Sequence, residues 1–317
     1  MTTSRNVPDE IKTYLSDCTL CPRRCHADRL SGQRGYCGQG AEMTAARAAL
    51  HFWEEPCISG TQGSGAVFFS GCSLRCVFCQ NHDISVGNQG RTVSGERLVA
   101  IFLELQEAGA ANINLVTAGH FLPQVCRALR DARAEGLSIP VVYNTGGYEE
   151  ASSLRLLDGL ADVYLPDLKF YSTELSAACS HAPDYFEKAS AAINEMLRQT
   201  GPPVIDSGTG LMRRGVIVRH LVLPGQVKDS KKILRYLRET YGNDIYVSIL
   251  NQYTPMPLQT TPATLEPLCR ELGRRVTAEE YARVLDFADK IGIEQGFFQE
   301  DGAAETYFIP AFDGQGL

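Results

Sequence analysis

Long apolar runs are missing from this sequence. No hydrophobic stretch approaches the roughly 20 residues that a helix needs to cross a bilayer. The N-terminal segment MTTSRNVPDEIKTYL also lacks the apolar core and the small-residue cleavage site of a signal peptide. The sequence therefore predicts a cytoplasmic protein that does not associate with membranes.

Positive charge is also in short supply. The chain has 30 Lys and Arg residues against 37 Asp and Glu residues, a formal net charge of -7. No patch of basic residues interleaved with aromatic ones occurs, so nucleic acid is not an expected partner. With 44% hydrophobic residues and no repeat or low-complexity tract, the 317 residues exclude a disordered or collagen-like chain. This length allows one large or two smaller domains with a sizeable core.

Cysteine, by contrast, is abundant, with 11 copies. In a reducing compartment disulfides are disfavoured, so metal ligation is the leading use for so many thiols. Seven cysteines fall into two groups along the chain. The isolated Cys57, Cys126, Cys179 and Cys269 are predicted to be small buried apolar side chains.

The central group lies in SGCSLRCVFCQN, where Cys72, Cys76 and Cys79 have the spacing C-x3-C-x2-C. Three thiolates this close can hold one face of a [4Fe-4S] cluster and leave its fourth iron without a cysteine ligand. Such an iron can chelate a small molecule through an amine and a carboxylate. A zinc site with one open position is the competing interpretation, and a chance group of buried thiols is the plainest one.

The N-terminal group, Cys18, Cys21, Cys25 and Cys37, has the spacing C-x2-C-x3-C-x11-C. Four thiolates can close a tetrahedral zinc or iron site or carry a second iron-sulfur cluster, and the spacing does not separate these possibilities. A structural staple suffices to explain the group, although an electron relay is a second possible role. Four flanking basic residues would offset the negative charge of the thiolates, namely Arg23, Arg24, Arg29 and Arg34.

Strand-like apolar runs alternate with helical periodicity over most of the chain. The predicted strands are 66–69, 113–117, 141–144, 163–168, 216–222 and 245–250, and the predicted helices include 95–108, 122–134, 185–199, 230–240 and 278–291. This alternation predicts βαβ units and a parallel sheet, whose carboxyl-terminal edge is where ligands bind. Residues 201–210 and 254–264 are predicted loops. The turn-rich segment PCISGTQGSG predicts a division into a cysteine-rich module (1–60), a barrel (61–300) and a C-terminal tail (301–317).

Phe78 precedes Cys79, which gives C-x3-C-x-aromatic-C after the apolar run GAVFFSG. This pattern resembles the signature of the radical S-adenosylmethionine (SAM) superfamily, and in particular the branch related to the pyruvate formate-lyase activating enzyme. Further matching segments are NLVTAGHFLP, VVYNTGGYE, YLPDLKF, VRHLVLPG, SILNQYTP and GIEQGFFQ, and the leader CTLCPRRCHADRLSGQRGYCG is typical of the branch. The resemblance implies a partial (β/α)6 barrel in which Cys72, Cys76 and Cys79 hold a [4Fe-4S] cluster whose open iron binds SAM.

The resemblance also implies which residues bind SAM. Backbone groups of Thr117, Ala118 and Gly119 would meet its amine, although the family usually has Gly-Gly-Glu there. Asn144 stands where activases carry an aspartate aimed at the same amine. Lys169 would pair with the carboxylate, beside Asp167 on the same strand face. His220 would reach the ribose or carboxylate, and Phe78 would lie against the adenine.

Plainer interpretations exist for several of these residues. Asp167 and Lys169 can be a same-face ion pair, and His220 can be a satisfied interior histidine. Four residues are predicted near the substrate, namely His120, Gln252, Tyr253 and Gln299. For Tyr253 a buried hydroxyl bonded to the backbone is the plainer interpretation.

Three functions remain open at this stage. The favoured one is a radical SAM enzyme that cleaves SAM to a 5'-deoxyadenosyl radical and abstracts hydrogen from a small molecule, with flavodoxin or ferredoxin as electron donor. The alternative is an activase that makes a glycyl radical on a partner protein. No cysteine lies between Cys79 and Cys126, so the ferredoxin-like insert of many such activases is absent. A non-catalytic electron-transfer protein is disfavoured, because it would not need the motifs at the other strand ends.

Overall fold

The computed structural model describes residues 9–255, 271–299 and 310–317. Its centre is a sheet of mainly parallel strands. The strands are β1 (Met43–His51), β2 (Ser64–Phe69), β3 (Arg91–Val93), β4 (Ile113–Val116), β5 (Val141–Thr145), β6 (Val163–Pro166), β7 (Val204–Ile205), β8 (Met212–Leu221), β9 (Tyr246–Leu250) and β10 (Gly296–Phe298).

The strand order is β10-β9-β8-β6-β5-β4-β2-β1-β3, with β7 paired to β8. Neighbouring strands from β10 through β2 are parallel, whereas β1 is antiparallel to both β2 and β3. Within the described residues the two ends of this order do not pair, so the sheet is an open, partial barrel. The prediction of an α/β partial barrel is confirmed.

Helices pack against the sheet. They are α1 (Asp9–Ser16), α2 (Pro56–Ser59), α3 (His82–Ser85), α4 (Gly95–Glu107), α5 (Leu122–Ala134), α6 (Ala151–Leu154), α7 (Thr173–Ser180), α8 (Tyr185–Thr200), α9 (Val227–Tyr241) and α10 (Ala278–Lys290). Side-chain caps fix where several of them begin, as in α10, where Thr277 and Glu280 form a capping box. None of the helices in the described ranges is long and apolar enough to span a membrane.

The six predicted strands and five predicted helices all exist, with ends shifted by a few residues. Strands β2, β4, β5 and β6 are buried along their whole length, which explains their continuous apolar runs. The predicted loop 201–210 is partly wrong, because Val204–Ile205 pairs with β8. Most of the predicted loop 254–264 lies outside the described residues.

The strand β1 lies inside the predicted cysteine-rich module and pairs with β2 from Ala45 to His51. The C-terminal segment runs along the same strand, since the Ala48 N–H donates to the Gln315 carbonyl at 2.8 Å. The predicted module and the C-terminal segment are therefore both connected to the barrel sheet through β1. The three predicted domains remain a prediction.

Candidate active site

A cavity of about 690 Å³ lies inside the open barrel. This size falls in the range of roughly 300–1,000 Å³ that is typical of small-molecule sites. Its polar lining comes from the segment after β1, the loop after β2 and the ends of the parallel strands, and includes Glu54, Glu55, Cys72, Cys76, Cys79, Thr117, Asn144, Asp167, Lys169, Arg219, Ser248, Gln252, Tyr253 and Gln299.

The three central cysteines share this cavity, as predicted, and each sulfur accepts a hydrogen bond. The Leu74 N–H donates to Cys72 Sγ at 3.4 Å. The Ser180 hydroxyl donates to Cys76 Sγ at 3.1 Å, and the Ser85 hydroxyl to Cys79 Sγ at 3.4 Å. Such donors favour the thiolate form that iron binds.

The charges around Cys76 explain why a cationic partner suits these thiols. Burial raises the pKa of Cys76 to about 12, Lys169 acts to lower it, and Cys72 and Cys79 raise it further. Three neighbouring thiolates in a buried site need positive charge, which an iron cluster supplies. The donor set therefore fits a cluster with three cysteine ligands.

In the part of the chain that the structure describes, no group of three or more His, Cys, Asp or Glu side chains is arranged to hold a single metal ion. That finding concerns one ion, whereas a [4Fe-4S] cube binds its cysteines through separate irons.

The loop after β4 has an unusual shape at the predicted SAM amine site. Thr117 has a φ of 60° and donates its N–H to the Asn144 carbonyl at 2.8 Å. Ala118 is fully buried. A Cβ on Gly119 would lie 2.6 Å from Glu149 Oε2, so any other residue here would displace the Glu149 carboxyl. Glu149, in the loop after β5, thus places its carboxylate beside Gly119. In this chain the loop after β4 lacks the glutamate that the related family usually has in its Gly-Gly-Glu sequence.

Arg219 is the centre of the charged network in the cavity, and sequence reasoning missed it. Its Nη2 donates to Asn144 Oδ1 at 2.6 Å and its Nε to Asp167 Oδ1 at 2.9 Å. Its Nη1 pairs with Glu54 Oε2 at 3.2 Å. Lys169 forms the expected ion pair with Asp167. Despite burial, Arg219 and Lys169 hold the pKa of Asp167 below its usual value.

His220 lies outside the lining of this cavity, although the resemblance assigned it to SAM. Successive strand residues face opposite sides, and it is Arg219 that points inward. His220 is buried, its Nδ1 hydrogen-bonds with the Leu168 carbonyl at 2.8 Å, and its Nε2 has no partner. Burial lowers its pKa to about 4.

His120 is also absent from the large cavity, which argues against direct contact with a substrate there. Its Nε2 hydrogen-bonds with the Ser70 carbonyl at 2.7 Å, and burial lowers its pKa to about 3. It lines a separate cavity of about 20 Å³, together with Cys21, Cys72, Gly119 and Glu149.

The other three predicted substrate residues do line the large cavity. Gln299 Nε2 donates to Gln252 Oε1 at 3.0 Å. The Tyr253 hydroxyl donates to the Leu272 carbonyl at 2.7 Å. This agrees with the plainer interpretation of Tyr253 as a buried hydroxyl bonded to the backbone. The Tyr253 ring also lies 5.9 Å from the Phe78 ring, centroid to centroid, so Phe78 is part of the same wall.

The N-terminal cysteines form a separate site. Cys18, Cys21 and Cys37 are buried and Cys25 is exposed. Each sulfur accepts a backbone N–H from two residues further along the chain, namely Leu20, Arg23, Ala27 and Gln39. Burial nevertheless raises the pKa of the Cys18, Cys21 and Cys37 thiols. Despite its own partial burial, Cys25 has a lowered pKa because the backbone at Ala27 and Tyr36 donates to its sulfur. The finding about a single metal ion holds for these four described cysteines as well, so metal binding here stays a prediction.

The four flanking arginines do not share one task. Arg29 lies at the sulfurs, with Nη2 at 3.7 Å from Cys37 Sγ. Arg23 instead donates to the carbonyls of Ser73 and Ser180, Arg24 pairs with Glu150, and Arg34 donates to the Gly38 carbonyl. The expectation that all four offset the thiolate charge is therefore wrong for three of them: Arg23 and Arg24 join the module to the rest of the chain, and Arg34 bonds within the module.

The isolated cysteines bear out their prediction where they can be seen. Cys57, Cys126 and Cys179 are buried. Cys269 lies outside the described residues. The sequence signal that was missed is the charge inside apolar surroundings, because Glu54, Glu55 and Arg219 each stand in otherwise apolar segments.

Residues 66–237 match the family model described as the Radical SAM superfamily, which is more than half of the chain. The chain therefore belongs to the radical SAM superfamily. Membership implies an enzyme that uses SAM and a [4Fe-4S] cluster.

Individual relatives are more distant. The chain is 28% identical over 290 residues to "Uncharacterized protein MJ0674" of Methanocaldococcus jannaschii, covering 89% of this chain and 77% of that one. Streptococcus suis SuiB bound to S-adenosylmethionine is 13% identical with a TM-score of 0.48, covering 74% of this chain and 50% of SuiB.

A domain of the pyruvate-formate lyase-activating enzyme from Bacteroides vulgatus is 10% identical with a TM-score of 0.37, covering 57% of this chain and 92% of the domain. The chain thus spans about half the length of SuiB. TM-scores this low do not establish a common fold, and the family assignment rests on the sequence match.

Proposed function

We propose that Cys72, Cys76 and Cys79 hold the [4Fe-4S] cluster and that the chain uses SAM to abstract hydrogen from a small molecule bound in the large cavity. The observation that carries this proposal is the convergence of the three sulfurs, Asn144 and Lys169 on one cavity of about 690 Å³. The sulfurs already have hydrogen-bond donors, and the cavity already has charged groups to orient a ligand.

Cys72, Cys76 and Cys79 would hold the cluster, which when bound and reduced would supply the one electron needed to break a carbon–sulfur bond of SAM. The protein's own residues bind and orient the reactants. Lys169 has three N–H donors, so it can contact the SAM carboxylate while it keeps its ion pair with Asp167. Asn144 and the backbone at Thr117 lie on the same wall and would meet the amine.

The size of the cavity supports a small substrate over a partner protein. The cavity is lined by strands and by the segment after β1, and its charged groups are half-buried except for Glu55, which is buried. Abstraction by a radical needs a dry, shaped site that excludes competing reactions. The described residues of the N-terminal module before β1 do not line this cavity, so they do not form its cover.

We also propose that the N-terminal cysteines bind a metal ion or a second cluster. Cys21 and Cys72 border the same cavity of about 20 Å³, so a redox group at the N-terminal site would lie next to the central cluster. Flavodoxin or ferredoxin would then deliver electrons from outside. Whether the N-terminal site holds zinc or iron is decided by metal analysis of the reconstituted protein.

The test is anaerobic reconstitution with iron and sulfide, followed by measurement of 5'-deoxyadenosine release from SAM under reduction. Replacing Cys72, Cys76 and Cys79 together by Ala should abolish release, and persistent release would contradict the proposal. Deuterium transfer from a candidate small molecule into 5'-deoxyadenosine identifies the substrate. Hydrogen transfer from a glycine of a partner polypeptide would instead favour an activase.

A further inference from the structure

The segment between β1 and α2 places two adjacent carboxylates, Glu54 and Glu55, in the lining of the large cavity. Glu54 is fully partnered there. Its Oε1 accepts from Asn114 Nδ2 and Asn144 Nδ2, each at 3.1 Å, and its Oε2 pairs with Arg219. Glu54 therefore belongs to the wall itself.

Glu55 is different. It is only 7% exposed, and its Oε2 has no hydrogen-bond partner. It directly precedes α2, where an acidic side chain would normally accept N–H groups of the helix, yet it makes no such cap. Its own backbone N–H and the Ser248 hydroxyl on β9 act to lower the pKa of the carboxyl, yet Oε2 has no hydrogen-bond partner. A buried oxygen of this kind destabilises the fold unless a ligand supplies the missing donor.

The balance of charge indicates what kind of donor fits. Among the described lining residues, the carboxylates are Glu54, Glu55 and Asp167, and the basic side chains are Lys169 and Arg219. Both basic side chains already form ion pairs, since Arg219 pairs with Glu54 and Asp167, and Lys169 pairs with Asp167.

Glu55 is thus the one carboxyl group of the described lining for which no ion pair with a basic side chain is formed. Burial raises the pKa of Glu55 against the pull of Arg219, and neighbouring Glu54 raises it further. A cationic donor at this carboxyl would supply both the missing hydrogen bond and the missing charge.

We propose that Glu55 binds a protonated amine of the substrate, on the side of the cavity formed by β8 and β9. The inference rests on the proposed function, because it takes the cavity as the substrate site. It narrows the substrate class to small molecules that carry an ammonium group. The substrate would then lie between Glu55 and the SAM bound at the three cysteines.

The test measures equilibrium binding to the reconstituted protein with SAM and without reductant, so that no reaction intervenes. The probes are n-butylamine and benzylamine, each compared with the matched alcohol. We expect the amines to bind more tightly than the alcohols. Glu55→Gln should weaken amine binding roughly 10- to 100-fold, since it removes a charge-assisted hydrogen bond. Glu239→Gln, the same charge change at an exposed position, should leave amine binding unchanged.

Equal affinity for amines and alcohols, or equal amine binding by wild type and Glu55→Gln, would overturn the proposal. SAM affinity is measured in the same samples. If Glu55→Gln weakens SAM binding instead of amine binding, the carboxylate serves the cofactor and the proposal is wrong. A protein that binds amines through Glu55 but releases no 5'-deoxyadenosine contradicts the proposed function alone.

The melting temperature without probe gives a second readout. Glu55→Gln should raise the melting temperature, because it removes a buried carboxylate that has no compensating partner until an amine binds. A carboxylate with a purely structural role would give a lower melting temperature in the variant, which would contradict the assignment.

Discussion

The two groups of cysteines differ in what surrounds their sulfurs. The central three line a cavity that has room for ligands, and Cys76 accepts a hydrogen bond from Ser180, a distant serine. The N-terminal four have donors from within their own module, namely backbone N–H groups and the Arg29 side chain at Cys37. A site closed by its own backbone suits a structural or relay role, whereas a site open to a cavity suits chemistry.

The largest expected effect tests this difference directly. Replacing Cys18 and Cys37 by Ser should remove all metal bound beyond the central cluster and unfold the module, because the module has no large core of its own. Metal analysis and limited proteolysis measure both effects. Cys126→Ala, at a buried cysteine outside both groups, is the control and should retain the metal. Unchanged metal content together with intact folding in the double variant would refute a metal site there.

A second expectation concerns the ion network in the cavity. Arg219→Met should lower the free energy of unfolding by about 3–5 kcal/mol, because it removes one ion pair from each of the carboxylates of Asp167 and Glu54 in the cavity wall. Urea unfolding at pH 7 measures the effect. Arg213→Met is the control on the same strand, where an exposed pair with Asp206 should be worth about 0–1 kcal/mol. Similar losses of unfolding free energy in both variants would mean that the ion pairs in the cavity stabilise the fold no more than the exposed pair does.

A third expectation concerns the close approach of two loops beside the central cysteines. Gly119→Ala should lower the free energy of unfolding by about 1–3 kcal/mol, because its Cβ would lie 2.6 Å from Glu149 Oε2. Gly95→Ala, where a Cβ meets nothing within 4 Å, is the control and should be tolerated. If Gly119→Ala is equally tolerated, the two loops do not approach this closely.

The smallest expected effect lies far from both cysteine groups, at the start of α10. The Arg274 guanidinium beside Glu280 lowers the pKa of that carboxyl from 4.5 to about 2. A lowered pKa stabilises the fold above pH 4.5, and this contribution is lost as the pH falls towards 2.

Glu280→Gln should therefore destabilise the protein by about 1 kcal/mol at pH 7, after allowance for solvent screening. The difference from wild type should shrink below pH 4.5. Denaturant unfolding at several pH values checks this, with the exposed neighbour in Glu279→Gln as control. A difference that does not change with pH would assign the effect to the capping box alone.

Much of the barrel could be predicted because buried parallel strands and amphipathic helices leave strong local patterns. The strand β1 could not, since MTAARAALH is rich in alanine and has little β-branched character. It becomes a strand because it pairs with β2. The short strands β3, β7 and β10 likewise exist through their pairing.

The residues of the site could be predicted from the sequence only in part, for a similar reason. The choice between Arg219 and His220 could not be made from the sequence, because β8 is buried on both faces over this stretch and its apolar pattern does not mark which face is inside. Glu54 and Glu55 were missed for a related reason, because no local sequence pattern indicates that the segment after β1 enters the barrel.

The sequence by itself determined the two groups of clustered cysteines, the alternation of strands and helices and the resemblance to the radical SAM superfamily, because each depends on residues close together in the chain. Only the tertiary structure decided what faces the cysteines across the cavity. Glu54, Asn144, Asp167 and Arg219 are far apart in sequence and meet because parallel strands end side by side. Their contacts depend on strand order and on which side chains point inward, and local sequence patterns carry neither.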